Sequence, residues 1–148
     1  MVDFAVERIG VVWENMDVVR KHYEEIAQFP EVQKLDPDFE AYDRMEQAGK
    51  LWVLTARDGG KLVGYIVMLV SHDLHYRQLL RAVEDIHFIL PEYRKGILGY
   101  RMLRRTRDEM KAKGVQTVTF RTKAGKSHGV LFERLGGVLQ DLVYTVVL

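Results

Sequence analysis

Apolar and polar positions along the chain fall into two periods, and their changeovers mark the elements. "FAVERI" (Phe4 to Ile9) reads as a first strand. A helix follows from Asn15 or Asp17, both capping residue types, to about Gln28. Val19, Tyr23, Ile26 and Ala27 form its apolar stripe, and Pro30 lies just past its end. After the connector "FPEVQKLDPD" a second helix starts at Asp38, with Phe39, Tyr42 and Met45 on one face and Gly49 as its stop. "LWVLTA" and "KLVGYIVMLV" are strands joined at "RDGG", where Asp58-Gly59 is a hairpin signal. "SHDLHYRQLLR" reads as a polar crossover into the strand "AVEDIHFIL". A helix over about Leu98 to Lys113 carries Leu103 and Met110 inward and ends at Gly114. "VQTVTFRTK" is a strand, "AGKSHGVLFERLGG" a turn and short helix ending at Gly136, and "VLQDLVYTVVL" a last strand. The order β-α-α-β-β-β-α-β-α-β predicts an α/β fold, a mixed sheet with helices on both faces.

Composition narrows the chemistry. A chain of 148 residues, 47% hydrophobic, is expected to form one domain, residues 1–148, with its own core. It has no cysteine, which removes disulfides, thiolate metal sites and cysteine nucleophiles. The net charge of +1, with both signs interspersed, argues against sequence-independent nucleic-acid binding and against an anionic membrane. The longest apolar run, "YIVMLV", is far short of a membrane span. "MVDFAVERIG" lacks the pattern of a signal peptide, so a soluble, cytoplasmic protein is expected. "HDLH" lacks the further ligands a zinc site needs, and no metal is expected.

The segment "PEYRKGILGYRML" (Pro91 to Leu103) is the richest in chemistry. It joins a strand to a helix N-terminus, where free amides and the macrodipole attract anions. Arg94, Lys95 and Arg101 add cations, and Gly96 and Gly99 allow close backbone approach. A polyphosphate fits, and so does an ordinary turn before a helix. The segment is neither a P-loop nor a dinucleotide fingerprint, because Gly-Lys-Ser/Thr and the three-glycine pattern are both missing.

Strand, Pro-Glu-Tyr-Arg, glycine loop, helix, strand and "LFERLGG" together resemble the GCN5-related N-acetyltransferase (GNAT) superfamily. Arg94-Lys95-Gly96-Ile97-Leu98-Gly99 resembles its Gln/Arg-x-x-Gly-x-Gly/Ala loop, with the middle glycine displaced from 97 to 96. Leu131-Phe132-Glu133-Arg134-Leu135-Gly136-Gly137 resembles its Leu-Tyr-x-x-x-Gly-Phe motif, with Phe132 for the tyrosine and Gly137 for the phenylalanine. The ending and the "AGKSHG" turn are also similar to GNAT-type proteins carried by bacteriophages.

The resemblance implies a mostly antiparallel sheet of about six to seven strands with a central, splayed parallel pair. It implies acetyl-CoA as cosubstrate and a primary amine on a small molecule or peptide as acceptor. A homodimer would also be in keeping with it. Phe88, Ile89 and Leu90 would pair with the pantetheine arm. The amides of Lys95, Gly96, Ile97, Leu98, Gly99 and Tyr100, with Arg94, would hold the pyrophosphate, and Ser127 and Phe132 would border the cofactor. Ile97 puts the loop's path in question, since Ile adopts positive φ only at a cost.

Strict strand alternation would place Val83, Asp85, His87 and Ile89 on one face, and Glu84, Ile86 and Phe88 on the other. Asp85 is the first candidate for the base that neutralises the attacking amine, then His87, then Glu84. With Phe132 in the usual acid position, Tyr144 and Tyr100 are the substitutes. Each candidate also has a plain structural role available: an ion pair for Asp85, packing for His87 and the tyrosines, helix capping for Ser127. The acid-rich stretch Glu24, Glu25, Glu31, Asp36, Asp38 and Glu40 would suit a cationic acceptor or be a solvated face, and His72, His75, Tyr76 and Arg77 would wall the acceptor site. The altered loop and Phe132 keep one alternative open, a GNAT-like CoA-binding or protein-interaction module with little catalysis.

Overall fold

The computed structural model describes residues 1–126 and 128–148, so Ser127 lies outside the described residues. Five strands form one sheet in the order β1-β2-β3-β4-β5: Val2–Val6, Leu51–Asp58, Lys61–His72, Leu80–Ile89 and Thr117–Thr119. The first four are antiparallel neighbours, and β4 and β5 run parallel. The helices are α1 (Gly10–Trp13), α2 (Met16–Ile26), α3 (Phe39–Gln47), α4 (Leu98–Ala112) and α5 (Gly129–Arg134). None of the described helices is long and apolar enough to cross a membrane.

β2 and β3 are buried on both faces, which explains their near-continuous apolar sequence. On one face Val53, Tyr65, Val67 and Phe88 pack with Ile9, just before α1, and with Val12, Val18 and Val19 of the first two helices, and Tyr42 and Met45 of α3 close that core. On the other, Trp52, Leu54, Ile66, Met68 and Ala82 meet Leu98, Met102, Leu103 and Met110 of α4. The Asp38 carboxylate accepts from Ala41 N–H at 2.9 Å and caps α3 as its sequence predicts. Gly59 and Gly60 both take positive φ (54° and 85°), making the two-residue turn of the β2–β3 hairpin.

Three expectations are corrected. "SHDLHYRQLLR" is no crossover: β3 runs on to His72, β4 starts at Leu80, and the two make one long hairpin. Its turn is held by Asp73, which accepts from His75 and Tyr76 N–H at 2.7 and 3.0 Å and pairs with Arg81 at 2.6 Å. "VLQDLVYTVVL" forms no strand; residues 138–148 leave the sheet without regular structure. The sheet therefore has five strands rather than six or seven, and the parallel pair lies at its edge rather than its centre.

Candidate active site

β4 carries the feature that organises the site. Val67 of β3 pairs with Ile86, but the next residue, Met68, pairs with Glu84. Asp85 is the extra residue of a β-bulge, and it breaks the strand's alternation. Ala82, Glu84, His87 and Ile89 face the α4 side; Asp85, Ile86 and Phe88 face the α1–α3 side with Tyr42. The expected parity is thus corrected at four positions, Ile86 and Phe88 joining Asp85's face while His87 and Ile89 leave it. Glu84 and His87, now on one face, bond at 2.8 Å through Oε1 and Nδ1. Glu84 is buried, and its Oε2 has no hydrogen-bond partner among the described residues. The His128 ring, at the start of α5, lies 6.1 Å from that of His87. Burial lowers the pKa of His128.

At the bulge β4 also loses its neighbour. Parallel pairing with β5 spans only Arg81–Thr117, Ala82–Val118 and Val83–Thr119. From Glu84 to Ile89 the other edge of β4 has no strand beside it among the described residues, so Phe88, Ile89 and Leu90 lie along and just past an open backbone edge. Gly64 keeps β3 close behind: a Cβ there would stand 2.9 Å from the Phe88 carbonyl oxygen and 3.1 Å from Ile89 Cγ1.

The edge leads into the glycine loop. Pro91–Tyr93 makes a single 3₁₀ turn, Gly96 takes φ 103°, and Ile97 enters α4 as its N-cap at φ −104°. The displaced glycine is thereby explained: positive φ falls at 96, and Ile97 has an ordinary backbone. The first helical bond runs from Arg101 N–H to Ile97 O at 2.9 Å. The amides of Leu98, Gly99 and Tyr100 therefore have no intrahelical acceptor, as an anion cradle requires. Arg94 is tied elsewhere. Its Nε donates to Ile89 O at 2.8 Å, its two terminal nitrogens grip Glu25 of α2 at 2.8 and 2.7 Å, and its Cζ lies 5.2 Å from the Phe88 ring centre. The guanidinium holds the Glu25 carboxyl below its usual pKa.

On the α1–α3 side a cavity of about 320 Å³ is lined by Ile86, next to the bulge, and by Tyr42, while Asp85 itself is not among its lining residues. Trp13, His22, Tyr42 and Tyr65 give it aromatic walls and Ile86 an aliphatic one, with Asp36, Lys34 and Lys123 among its polar lining. Tyr42 donates to Asp85 Oδ2 at 2.5 Å, and burial followed by that bond raises the Tyr42 pKa. His22 is buried, stacks on Phe88 with ring centres 4.7 Å apart, and shares a 2.7 Å hydrogen bond between Nδ1 and the Tyr65 hydroxyl. Burial pushes the His22 pKa down to about 4, and burial raises that of Tyr65. A larger depression, about 570 Å³, lies beside Val6, Glu46 and Leu51 and includes none of these residues.

The other predicted residues scatter. Tyr144 is 87% exposed, in the segment after α5 that forms no strand, and does not line the cavity. Phe132 stacks on Phe120, ring centres 5.5 Å apart, against the α4-side core. Of the six acids in the acid-rich stretch only Asp36 lines the cavity; Asp38 caps α3 and Glu25 holds Arg94. His72, His75, Tyr76 and Arg77 belong to the hairpin end and do not line it. Sequence reasoning misses His22, Tyr42 and Tyr65 as cavity-lining residues, since inward-facing aromatic positions carry no local mark of chemistry. Among the described residues no group of three His, Asp or Glu is placed to hold a metal ion.

Over residues 16–136 the sequence matches the acetyltransferase (GNAT) family. The chain belongs to that family. A search of the curated proteins found no match. Solved structures with the same fold include a ribosomal-protein-alanine N-acetyltransferase from Brucella melitensis biovar Abortus 2308, with 15% identity, coverage of 100% and 99% of the two chains and a TM-score of 0.71. An aminoglycoside acetyltransferase from an uncultured soil metagenomic sample gives 11% identity, 99% and 97% coverage and a TM-score of 0.76. AAC(6')-Iy in complex with the bisubstrate analog CoA-S-monomethyl-acetylneamine gives 14%, 99% and 97%, and 0.74. As a GNAT acetyltransferase the protein uses acetyl-CoA as donor and an amine as acceptor. Its own residues fit that donor, since the open β4 edge ends at free helix amides beside a glycine with positive φ.

Proposed function

We propose that this GNAT acetyltransferase acts on a small amine held in the aromatic cavity, with Asp85 as the base. The carrying observation is that cavity and open strand edge meet at one residue pair: Asp85 is the bulge, and its neighbour Ile86 lines the cavity. A volume of about 320 Å³ suits a small ligand or a single terminal residue rather than a folded surface. The small-molecule acceptors named for the aminoglycoside acetyltransferases of this fold support the same reading, and a peptide amine is the other acceptor to be tried.

The acetyl-binding path runs along Phe88, Ile89 and Leu90, with the pyrophosphate at the amides of Lys95 to Tyr100. Arg94 acts there by fixing the loop to α2. When the amine nitrogen bonds to the acetyl carbon and the carbon–sulfur bond breaks, Asp85 takes the proton from nitrogen, directly or through one water. Tyr42 fixes Oδ2, which leaves Oδ1 as the acceptor. The sulfur leaves as a thiolate and takes its proton from solvent; on the opposite face Glu84 fixes the His87 ring through Nδ1.

Calorimetry with acetyl-CoA followed by free-thiol release over a panel of aminoglycosides, polyamines and short peptides tests this reading. Small amines should turn over and peptides should be poorer. Asp85→Asn should lower kcat by about a hundredfold with unchanged acetyl-CoA affinity. No binding at millimolar acetyl-CoA rejects the donor site, and full turnover by Asp85→Asn rejects the base.

A further inference from the structure

The cavity beside the bulge has a charge that its acid-rich surroundings do not suggest. Of the six acids from Glu24 to Glu40, only Asp36 lines it. Two cations do, Lys34 and Lys123, and neither is in an ion pair among the described residues. His22 adds no charge near neutral pH, since burial holds its pKa at about 4. Asp85 is held by Tyr42 and is not in the lining. The lining is therefore net positive, which suits an anionic group and not a polycation.

Both lysines are carried on fixed backbone. Lys34 follows Gln33, whose carbonyl accepts from the Tyr23 hydroxyl at 2.5 Å. The Gln33 side-chain oxygen accepts from Gln28 and Phe29 N–H at 3.3 and 3.1 Å. Leu35, the next residue, packs on the core. Lys34 is thus pinned on both sides along the chain while it stays exposed itself. Lys123 opens a turn in which its carbonyl accepts from Lys126 N–H at 3.0 Å, with Gly125 at φ 79°. The connector after α2 and the loop after β5 each bring one lysine to the same cavity. The rest of its walls are chiefly apolar, with Trp13, Val19, Ile26 and Leu35 among them.

We infer that the acceptor is an amino acid with an apolar side chain, its carboxylate taken by Lys34 and Lys123 and its body by the aromatic walls. The inference rests on the cavity being the acceptor site, and it narrows the small amine to one class. Each ammonium group donates to a carboxylate oxygen, and the amine is left for Asp85. Asp36, an anion in the same lining, disfavours a dianionic phosphate in that place. A polyamine would set its own ammonium groups against the two lysines.

Phenylalanine, its methyl ester and phenethylamine share one apolar body and one primary amine, and only the first carries a carboxylate. That carboxylate also favours the ammonium form, so the acid's amine is less reactive than the ester's. A preference for the acid over the ester therefore comes from recognition. Read by free-thiol release, kcat/KM should be about twentyfold higher for phenylalanine than for the ester, roughly fivefold for each exposed lysine. Lys34→Gln combined with Lys123→Gln should bring that ratio to about one, chiefly by raising KM for the acid. Calorimetry with acetyl-CoA checks that the double variant folds. Equal kcat/KM for acid and ester overturns the inference and leaves the cavity reading in place, as does a ratio that survives the double substitution. If acetyl-CoA binds and none of the three amines is acetylated, the cavity reading fails and the inference with it.

Discussion

Tyr42 of α3 and Asp85 of β4, 43 positions apart, meet in a 2.5 Å hydrogen bond that ties α3 to the bulge. The bond has one donor and a charged acceptor, so removing the hydroxyl costs more than a neutral bond would. Tyr42→Phe should lower stability by about 1.5 kcal/mol in urea unfolding. It should also reduce kcat while leaving acetyl-CoA affinity unchanged, because Asp85 loses the group that orients it. A loss confined to stability would assign the pair to packing alone.

His22 gives the enzyme a pH-dependent stability. Its pKa falls from 6.5 to about 4 on folding, chiefly through burial. Between those values the unfolded chain binds a proton that the folded chain refuses. Stability from this group is therefore complete above pH 6.5 and is lost as pH falls toward 4, by about 3 kcal/mol. His128, also lowered, adds in the same direction. Denaturant unfolding from pH 7.5 to 4 should show the decline, and His22→Gln should flatten most of it.

The glycine loop separates two neighbouring positions by their backbones. Gly96 at φ 103° admits a side chain only with strain, on the order of 1–3 kcal/mol, whereas Ile97 at φ −104° does not need glycine. Gly96→Ala should weaken acetyl-CoA binding in calorimetry. Ile97→Gly should leave it nearly unchanged, although it restores a glycine where the family pattern has one.

Arg94 and Glu25 form a two-pronged contact that is partly solvent-exposed, so its stability contribution is small. A double-mutant cycle with Arg94→Ala and Glu25→Ala should give a coupling below about 1 kcal/mol. The functional effect should be larger than the structural one. Arg94→Glu puts a carboxylate beside Glu25, detaches the loop from α2 and should raise the Kd for acetyl-CoA; an unchanged Kd would leave the loop indifferent to its anchor.

Periodicity locates α2, α3, α4 and α5 through their apolar positions, and the last three also through local signals, the Asp38 cap of α3 and the glycines Gly114 and Gly136 after α4 and α5. It locates the glycine loop for the same reason. It misses α1, whose four residues are too few to show a period. It misreads "SHDLHYRQLLR" because the hairpin end projects from the sheet and its exposed positions need no apolar side chains. The bulge at Asp85 is hidden most deeply. One extra residue has no local signature, yet it moves Ile86 and Phe88 to one face and His87 to the other. The tail at 138–148 has strand-forming sequence without a strand, because pairing is a non-local choice that no stretch of the chain states by itself.

The short contact between β4 and β5 has a consequence for motion. Three rungs, Arg81–Thr117 to Val83–Thr119, are all that joins β5 to the rest of the sheet. β2 and β3, by contrast, are laddered along nearly their whole length. The free energy to open β5 should lie well below that for unfolding the whole protein, so the two ends of the sheet form separate cooperative units. In hydrogen exchange, amides of residues 117–119 should exchange long before those of 62–68, and bound acetyl-CoA should slow the first set while leaving the second alone. If the donor enters between β4 and β5, as proposed, the ligand would close a weak seam of the sheet.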